Sequence, residues 1–296
     1  MTFIAQPLPH RTDEPRAASS VHACRELARR RGSSFYHGMR LIPEPTRTDT
    51  YVLYAWLRQV DDLADGPGEP HEKVKALRRF WERTCRAAEG DTTDAADSEI
   101  WHALAGLFAR HALPLTDFRD MLNGQLSDFC NTRYETFDEL YHYCVRVAST
   151  VGTLCIELWG YDGRPETRQL AAWRGVAFQL TNVLRDVRED ALADRVYVPA
   201  ECAGGPLTPA DVLAGGGSVR RAVRQLLARA SDYYARSAPL DACVAPSARR
   251  CLWTMTETYH ALLCKIAADP SAVFQPGRVR LAAVERLGIL FRSALR

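Results

Sequence analysis

The stretch LYAWLRQVDDLADG, from Leu53 to Gly66, combines two features that rarely occur in one helix. Its apolar residues recur at helical spacing, which predicts a helix lying mostly inside the protein. Asp61, Asp62 and Asp65 nevertheless lie within five residues of one another, and Arg58 precedes them by one turn. Charged side chains are seldom buried unless they are paired or bound to a ligand. The stretch therefore predicts a core helix that carries a binding site.

A second apolar stretch, WRGVAFQLTNVLRDVREDALADRVYVP (173–199), repeats this combination. Spacings of three, four and four residues place four polar side chains on one helix face: Gln179, Asn182, Asp186 and Asp190. Asp61 and Asp65 have the same four-residue spacing in the first stretch. Carboxylates one turn apart repel each other, and more strongly where water is scarce. Two such pairs facing each other in a core require cations between them.

Magnesium ions meet this requirement. Mg²⁺ prefers oxygen ligands and is usually bound by one or two carboxylates together with substrate phosphates and water. A single DxxxD pattern is more typical of a solvated helix face, but its recurrence on two apolar helices favours a cavity in which several Mg²⁺ ions bridge aspartates to a diphosphate. The rest of this cavity should be apolar and aromatic, because ring faces stabilise a carbocation.

Apolar spacing predicts helices throughout the chain after a leader rich in Pro, Thr, Arg and charged residues. The leader is expected to be disordered over 1–20, and 21–296 are expected to form a single all-helical domain. The predicted helices are 21–41, 46–65, 70–89, 96–111, 115–130, 136–161, 165–192, 208–213, 218–237, 246–268 and 281–294. Thr136 and Glu139 have the spacing of a capping box. The Gly-rich segment 201–218 is predicted to be a flexible connection, because it lacks a phosphate-binding pattern.

Three long segments resemble the squalene/phytoene synthase family, the head-to-head prenyl transferases. The opening segment and first aspartate motif of that family are similar to SSFYHGMRLIP (33–43) and YVLYAWLRQVDDLAD (51–65). The family's middle segment is similar to GQLSDFCNTRYETFDELYHYCVRVASTVG (124–152). Its second aspartate motif is similar to QLTNVLRDVREDALADRVYVP (179–199). The resemblance covers about residues 30 to 290. It implies an all-α fold of the isoprenoid synthase type, a single helical bundle around a central cavity. Ser271 departs from the family, which often carries an aromatic residue in that segment.

The resemblance also implies a role for particular residues. The metal ions would be held by Asp61, Asp65, Asp186 and Asp190. The residues that would contact diphosphate or support those aspartates are Tyr54, Arg58, Gln179, Asn182 and Arg185. Tyr143 would line the reaction centre, and Phe35 and Met39 would border the substrate tail. Asp62 and Glu189 would lie behind the metal ligands.

Several of these residues also have a purely structural interpretation. Arg185 would equally well neutralise its neighbour Asp186. Without the resemblance, Tyr143 would be interpreted as an ordinary core tyrosine. Phe35 and Met39 share one helix and are of a type found more often in a core than in a pocket.

The implied activity is a Mg²⁺-dependent condensation of two isoprenoid diphosphates. The opening segment is closest to bacterial presqualene diphosphate synthases, so the first expectation is condensation of two farnesyl diphosphates to presqualene diphosphate. The alternative is a phytoene synthase that uses two geranylgeranyl diphosphates. NADPH is not expected, because no nicotinamide fingerprint is visible.

Two other classes remain open. A non-catalytic family member, acting as an assembly or binding protein, would be expected to lose some of the aspartates, yet all four are present. The terpene cyclases and head-to-tail prenyl transferases use DDxxD motifs, which DDLAD (61–65) fits literally. The second aspartate motif and the SSFY segment argue against that class.

Composition limits the partners and the location. The chain has 296 residues and a net charge of +2, so no nucleic-acid partner is expected. No signal peptide and no membrane span is visible, and the expected location is the cytoplasm, with peripheral contact to the inner membrane because the product would be very apolar. The basic segment SVRRAVRQLLARA (218–230) is a candidate for that contact, although such a segment is more typical of a solvated face. The sequence predicts no oligomeric state.

Overall fold

A computed structural model describes residues 14–31, 34–96 and 99–295 of the chain, and most of these residues are helical. The helices are α1 (Glu14–Arg31), α2 (Ser34–Met39), α3 (Thr46–Asp65), α4 (Pro70–Ala88), α5 (Trp101–Arg110), α6 (Leu115–Ser127), α7 (Phe137–Cys144), α8 (Thr150–Trp159), α9 (Pro165–Arg185), α10 (Val187–Leu192), α11 (Ala200–Ala203), α12 (Pro209–Ala214), α13 (Gly217–Ser237), α14 (Leu240–Cys243), α15 (Pro246–Ala268) and α16 (Ala283–Ala294). A π-helical turn, Val145–Ser149, joins α7 to α8, and a 3₁₀ turn, Ala272–Phe274, follows α15. The described ranges contain no β-strand, which confirms the all-α prediction.

Local sequence explains where many helices begin. Four of them have proline in the first turn, where its missing N–H costs nothing and its fixed φ suits the helix: α4, α9, α12 and α15. At the start of α7, the Thr136 hydroxyl accepts a hydrogen bond from the Glu139 amide at 3.3 Å. The Glu139 carboxylate accepts from the Glu135 amide at 2.8 Å instead of from Thr136. Half of the predicted capping box therefore forms.

The two acidic helices, α3 and α9, are packed on several sides. Helix α3 contacts α1, α4, α5, α6 and α8, while α9 contacts α8, α13, α15 and the π-helical turn. One continuous apolar core includes fully buried side chains from several of these helices, among them Trp56 of α3 and Leu180 of α9. The inner faces of α3 and α9 consequently border the interior of the protein, although Asp65, the last residue of α3, is itself 65% exposed.

Glycine allows α9 to approach the π-helical turn and α8 closely. A Cβ atom at Gly175 would lie 2.4 Å from the carbonyl oxygen of Ala148, and one at Gly152 would lie 2.6 Å from that of Ala171. Both distances are shorter than any carbon–oxygen van der Waals contact. The contact between these elements therefore depends on glycine at 152 and 175.

The helix boundaries differ from the predicted ones in three ways. Helix α1 begins at Glu14, so residues 14–20, expected to belong to the disordered leader, are helical. Residues 1–13 lie outside the described residues. The predicted helix 136–161 contains the π-helical turn, and 165–192 is divided at Asp186, where ψ is 9°. The Gly-rich segment 201–218 was predicted to be a connection, but it includes part of α11 and all of α12.

The basic segment 218–230 uses its apolar face internally. In α13 the residues buried against the core are Val219, Ala222, Val223, Leu226, Leu227 and Ala230. This face packs on α9, so the apolar side of the segment is buried within the protein, and contact between the segment and a membrane stays a prediction. Among the described helices, none is long and apolar enough to cross a bilayer.

Candidate active site

A cavity of about 670 Å³ lies among α2, α3, α6, the π-helical turn, α8, α9 and α15. Its lining includes every residue predicted to bind metal or substrate: Phe35, Met39, Tyr54, Arg58, Asp61, Asp65, Tyr143, Gln179, Asn182, Arg185, Asp186 and Asp190. Asp62 and Glu189 are not among the lining residues, as expected for residues behind the predicted ligands. The two aspartate pairs thus share one cavity, although about 120 residues separate them in the sequence.

The first aspartate pair is held by residues from three parts of the chain. Gln125 Nε2 donates a hydrogen bond to Asp61 Oδ1 at 2.8 Å. Arg195 Nη1 lies 3.6 Å from Asp65 Oδ1. Burial raises the pKa of Asp61 to about 7, opposed by the nearby Arg58 guanidinium and reinforced by the charge of Asp65. Burial therefore disfavours the charged form of the Asp61 carboxyl group.

Asp62 holds Arg58 rather than facing the cavity. Arg58 Nη2 donates to Asp62 Oδ1 at 2.7 Å, whereas Arg58 Nη1 lies 3.9 Å from Asp61 Oδ2. The cavity-facing pair is therefore Asp61 and Asp65, four residues apart, and not the adjacent pair that a DDxxD motif would use.

The second aspartate pair lies where α9 ends. Asp186 accepts hydrogen bonds from Arg185 Nε at 2.8 Å and Nη2 at 2.5 Å, so Arg185 both lines the cavity and neutralises its neighbour. Arg278 Nε lies 3.0 Å from Asp186 Oδ1. It comes from the segment that contains Ser271, so that segment still contributes a charged contact to the site. Burial, with a further contribution from Asp186, raises the pKa of Asp190 to about 7.

Asp128 is a site residue that the sequence did not single out. Asp128 lines the cavity and is buried. Its carboxylate lies close enough to those of Asp65 and Asp190 for the charges to repel each other. Tyr143 donates a hydrogen bond to its Oδ2 at 2.9 Å, while Oδ1 is buried without a hydrogen-bond partner. Burial raises the pKa of Asp128 to about 6, although the hydrogen bond from Tyr143 lowers it. Its place three residues after Gln125, within the quoted middle segment, was the available signal.

Three tyrosine rings surround this carboxylate. The ring centroids of Tyr134 and Tyr143 are 5.8 Å apart, those of Tyr143 and Tyr197 are 5.2 Å apart, and those of Tyr134 and Tyr197 are 5.6 Å apart. Burial raises the pKa of all three hydroxyls, so they remain protonated near neutral pH. The nearby Tyr197 hydroxyl also acts to lower the pKa of Asp128. This group of Asp128 with three tyrosines is called the tyrosine cluster below.

Away from the aspartates, the cavity lining includes Trp159, Thr50 and the buried Arg174. Trp159 Nε1 donates a hydrogen bond to Thr50 Oγ1 at 3.1 Å, and both residues line the cavity. Thr50 precedes Asp61 by eleven residues on α3, which corresponds to about 16 Å along the helix axis. Phe178 stacks on Tyr259 with ring centroids 4.7 Å apart and extends the aromatic wall. The cavity therefore has an acidic end and, about 16 Å away, an end lined by Trp159.

The donor set suits a hard cation that a ligand helps to bind. Within the described part of the chain, no three His, Cys, Asp or Glu side chains are grouped closely enough to hold an ion by themselves. Mg²⁺ typically takes only one or two carboxylates and completes its shell with phosphate and water. Asn182 Oδ1 is buried without a hydrogen-bond partner, which leaves another oxygen available beside the aspartates. These residues therefore fit Mg²⁺ that is bound together with a diphosphate.

Comparisons with known proteins agree with this architecture. Residues 28–285 match the family described as squalene/phytoene synthase. The chain is 34% identical over 288 residues to 15-cis-phytoene synthase from Synechococcus elongatus, covering 92% of each chain. It is 32% identical over 273 residues to phytoene synthase from Arthrospira platensis, covering 87% of each chain. The crystal structure of squalene synthase HpnC from Alicyclobacillus acidocaldarius superposes with a TM-score of 0.78 at 26% identity, covering 88% of this chain and 97% of that one. The chain belongs to the squalene/phytoene synthase family of prenyltransferases, which join isoprenoid units head to head.

Proposed function

We propose that this protein condenses two isoprenoid diphosphates head to head in the cavity between α3 and α9. The observation that carries the proposal is the polarity of that cavity. Two DxxxD pairs lie at one end with Arg58 and Arg185, and about 16 Å away the cavity is lined by Trp159 and by apolar side chains such as Ile156 and Val151. A ligand with a charged head and a long hydrocarbon tail matches both ends.

The acidic end would bind the diphosphate through Mg²⁺. The ligands would be Asp61, Asp65, Asp186 and Asp190, with Asn182 and Gln179 beside them. Mg²⁺ bound there would neutralise the charge of the departing diphosphate. Arg58 and Arg185, which pair with carboxylates in the structure, would then be free to donate hydrogen bonds to the diphosphate oxygens.

The tyrosine cluster would act on the cation left behind. An allylic cation is stabilised by a nearby carboxylate and by the negative faces of aromatic rings. Tyr143 lines the cavity, and its hydrogen bond to Asp128 fixes the orientation of the ring. We assign Tyr143 to the wall of the reaction centre. Asp128 would position Tyr143 and supply negative charge.

Two substrates are candidates. The curated relatives named above are phytoene synthases with 32–34% identity, which favours geranylgeranyl diphosphate and a phytoene product as the first candidate. The squalene synthase from Alicyclobacillus, at 26% identity, and the opening segment of the sequence favour farnesyl diphosphate and presqualene diphosphate as the second. Because these substrates carry long hydrocarbon chains, we expect the enzyme to act at a membrane surface inside the cell.

Product analysis tests the proposal and separates the candidates. Purified protein would be incubated with farnesyl or geranylgeranyl diphosphate, each with Mg²⁺ or EDTA and with or without NADPH. We expect a Mg²⁺-dependent C40 product from the C20 substrate that does not change with NADPH. Presqualene diphosphate from the C15 substrate would favour the second candidate, and squalene formed only with NADPH would show an additional reductive step. No turnover by folded protein would favour a non-catalytic binding role.

A further inference from the structure

The short helix α14 lies beside the end of the cavity that Trp159 lines. Three residues after Trp159, the Asp162 amide donates a hydrogen bond to the Cys243 carbonyl at 3.1 Å. Cys243 is the last residue of α14, so this hydrogen bond joins α14 to the segment that follows α8. Leu240, the first residue of α14, is 1% exposed and lines the cavity. Helix α14 thus contributes an apolar side chain to the cavity lining.

Arg174 of α9 joins α14 to three other helices. This arginine is buried and lines the cavity. Its Nη1 donates hydrogen bonds to Asp241 Oδ1 of α14, at 3.3 Å, and to the Thr256 hydroxyl of α15. Its Nε and Nη2 donate to the hydroxyl and the carbonyl oxygen of Ser237, the last residue of α13, each at 2.8 Å. One guanidinium therefore links α9, α13, α14 and α15.

Two helices give a similar depth for this end of the cavity. Arg174 precedes Asp186 by twelve residues, which corresponds to about 18 Å at the rise of a helix. On α3, Thr50 precedes Asp61 by eleven residues, or about 16 Å. The contacts of α14 with Arg174 and with the end of α8 therefore lie at the end of the cavity opposite the aspartates.

The position of α14 depends on these contacts. A helix of four residues is too short to be stable by itself. Burying a guanidinium costs free energy unless its N–H groups are bonded. In Arg174 all three nitrogen atoms donate to protein groups, so the buried charge serves to hold neighbouring helices. Leu240, next to Asp241 in the chain, is held in place by the same contact.

We infer that Leu240 limits the length of the hydrocarbon chain that the cavity accepts, and that Arg174 positions Leu240 through Asp241. The inference rests on the proposed function, because it concerns the tail of an isoprenoid diphosphate whose head binds at the aspartates. Leu240 contacts the end of that tail from α14, as Trp159 does from α8. Arg174 acts through α14 and is a positioning residue.

Binding of substrate analogues tests Leu240 independently of turnover. The ligands are the thiolodiphosphate analogues of farnesyl and geranylgeranyl diphosphate, in which sulfur replaces the bridging oxygen and slows ionisation. Calorimetry with Mg²⁺ gives the Kd of each analogue, and the ratio of the two Kd values gives the preference for the C20 chain over the C15 chain. We expect Leu240→Ala to raise this preference by about tenfold, because space for methylene groups is gained.

The matched control for Leu240→Ala is Leu226→Ala. Leu226 is fully buried in α13 but does not line the cavity. Its replacement should lower the melting temperature and leave the preference for the C20 chain within about twofold of wild type. An unchanged preference in folded Leu240→Ala protein would overturn the role of Leu240.

Arg174→Met tests the positioning role, because it keeps an unbranched side chain and removes the guanidinium. We expect the preference for the C20 chain to rise by about threefold, since α14 is released. The control is Arg168→Met, because Arg168 lies on the same helix, pairs with Glu157 and does not line the cavity. An equal rise in both variants, or none in Arg174→Met, would overturn positioning by Arg174.

A double variant and a milder variant complete the test. Leu240→Ala/Arg174→Met should differ from Leu240→Ala by less than about twofold, because both changes act through one side chain. Multiplicative effects would contradict this. If Arg174→Met does not fold, Asp241→Asn replaces it, since Asp241 is 36% exposed and its change keeps the shape of the side chain; the C20 preference should rise there as well.

Turnover reports on the proposed function separately. Wild-type protein that binds the analogues but turns over neither substrate would refute the proposed function and leave the binding ratios to decide the roles of Leu240 and Arg174. Wild-type protein that turns over substrate, with the same ratio in Leu240→Ala, would refute this inference alone. Folded wild-type protein that binds neither analogue would overturn both.

Discussion

The Tyr143 hydroxyl donates a hydrogen bond to Asp128 Oδ2 across 2.9 Å, inside the wall of the cavity. The two residues are fifteen positions apart and belong to different elements, because Tyr143 lies in α7 and Asp128 follows α6. This hydrogen bond joins a residue expected from the family resemblance to one that the sequence did not single out. It also provides the first test of the proposed reaction centre.

Removing either partner of this hydrogen bond should slow turnover. We expect Asp128→Asn to lower kcat by about 100-fold or more, because the carboxylate charge beside the cation is lost. Tyr143→Phe keeps the ring and should lower kcat less, by about tenfold, through loss of the hydrogen bond that orients it. The measurement is steady-state kinetics with the preferred diphosphate substrate.

The double variant distinguishes a shared role from two separate ones. If Asp128 positions Tyr143, Asp128→Asn/Tyr143→Phe should be little slower than Asp128→Asn alone, because the two changes remove the same interaction. Multiplicative losses in the double variant would contradict positioning. Unchanged kcat in Asp128→Asn would remove Asp128 from the reaction centre.

Stability without metal should fall as the pH rises. The pKa values of Asp61 and Asp190 are raised to about 7, above the ordinary value of 3.8, so between these values the native protein binds more protons than the unfolded chain. The stabilisation from these protons is complete below pH 4 and is lost as the pH rises through 7. Metal-free protein should therefore melt at a lower temperature at pH 8 than at pH 5.5.

Added Mg²⁺ with inorganic diphosphate should raise the melting temperature more at pH 8 than at pH 5.5, because binding favours the deprotonated carboxylates. The control is Asp61→Asn/Asp190→Asn, which should lose most of the pH dependence and most of the response to Mg²⁺. An equal response of this variant and wild type at both pH values would argue against the aspartates as metal ligands.

Trp159 should limit the length of the substrate chain, because it lines the end of the cavity away from the aspartates and is held there by Thr50. We expect Trp159→Leu to raise the ratio of kcat/KM for the C20 substrate over the C15 substrate by about tenfold, since space for extra methylene groups is gained there. Trp56→Leu is the matched control. Trp56 is fully buried but does not line the cavity, so its replacement should destabilise the fold without changing the ratio. If this kcat/KM ratio is unchanged in folded Trp159→Leu protein, a residue other than Trp159 limits the length of the substrate chain.

The close approach of α9 to the π-helical turn predicts a stability difference between two glycine substitutions. Gly175→Ala should destabilise the protein by about 1–3 kcal/mol, because the new Cβ atom would overlap the Ala148 carbonyl. Gly288→Ala, in an exposed helix where a Cβ atom meets nothing within 4 Å, should stabilise it by about 0.5–1 kcal/mol. Denaturant unfolding measures both. Equal effects of the two substitutions would contradict the tight contact.

Much of the site was predictable because helix periodicity is regular. The spacing of Gln179, Asn182, Asp186 and Asp190 placed them on one face, and all four line the cavity even though α9 ends at Arg185. The interruption at Asp186 was not predictable, because no glycine or proline marks it and the Asp190 amide still hydrogen-bonds the Asp186 carbonyl at 2.8 Å. The same holds for the π-helical turn at Val145–Ser149.

Contacts between distant segments could not be read from spacing. Asp128, Tyr197 and Arg278 come from three separate parts of the chain, and none belongs to a repeated acidic pattern. Asp128 would ordinarily be interpreted as the end of a helix, Tyr197 as a core aromatic residue and Arg278 as a surface charge. Only their arrangement around Tyr143 and Asp186 gives them a place in the site.

We propose that Asp61 and Asp65, and not Asp61 and Asp62, face the diphosphate. The most direct test is the rate of inorganic diphosphate release with Mg²⁺, compared between Asp61→Asn and Asp62→Asn. These variants change adjacent carboxylates by the same chemistry, but only Asp61 lines the cavity. We expect a loss of at least about 100-fold in Asp61→Asn and less than about tenfold in Asp62→Asn, which only weakens the hold on Arg58. Equal losses in both variants, or a larger loss in Asp62→Asn, would contradict the account.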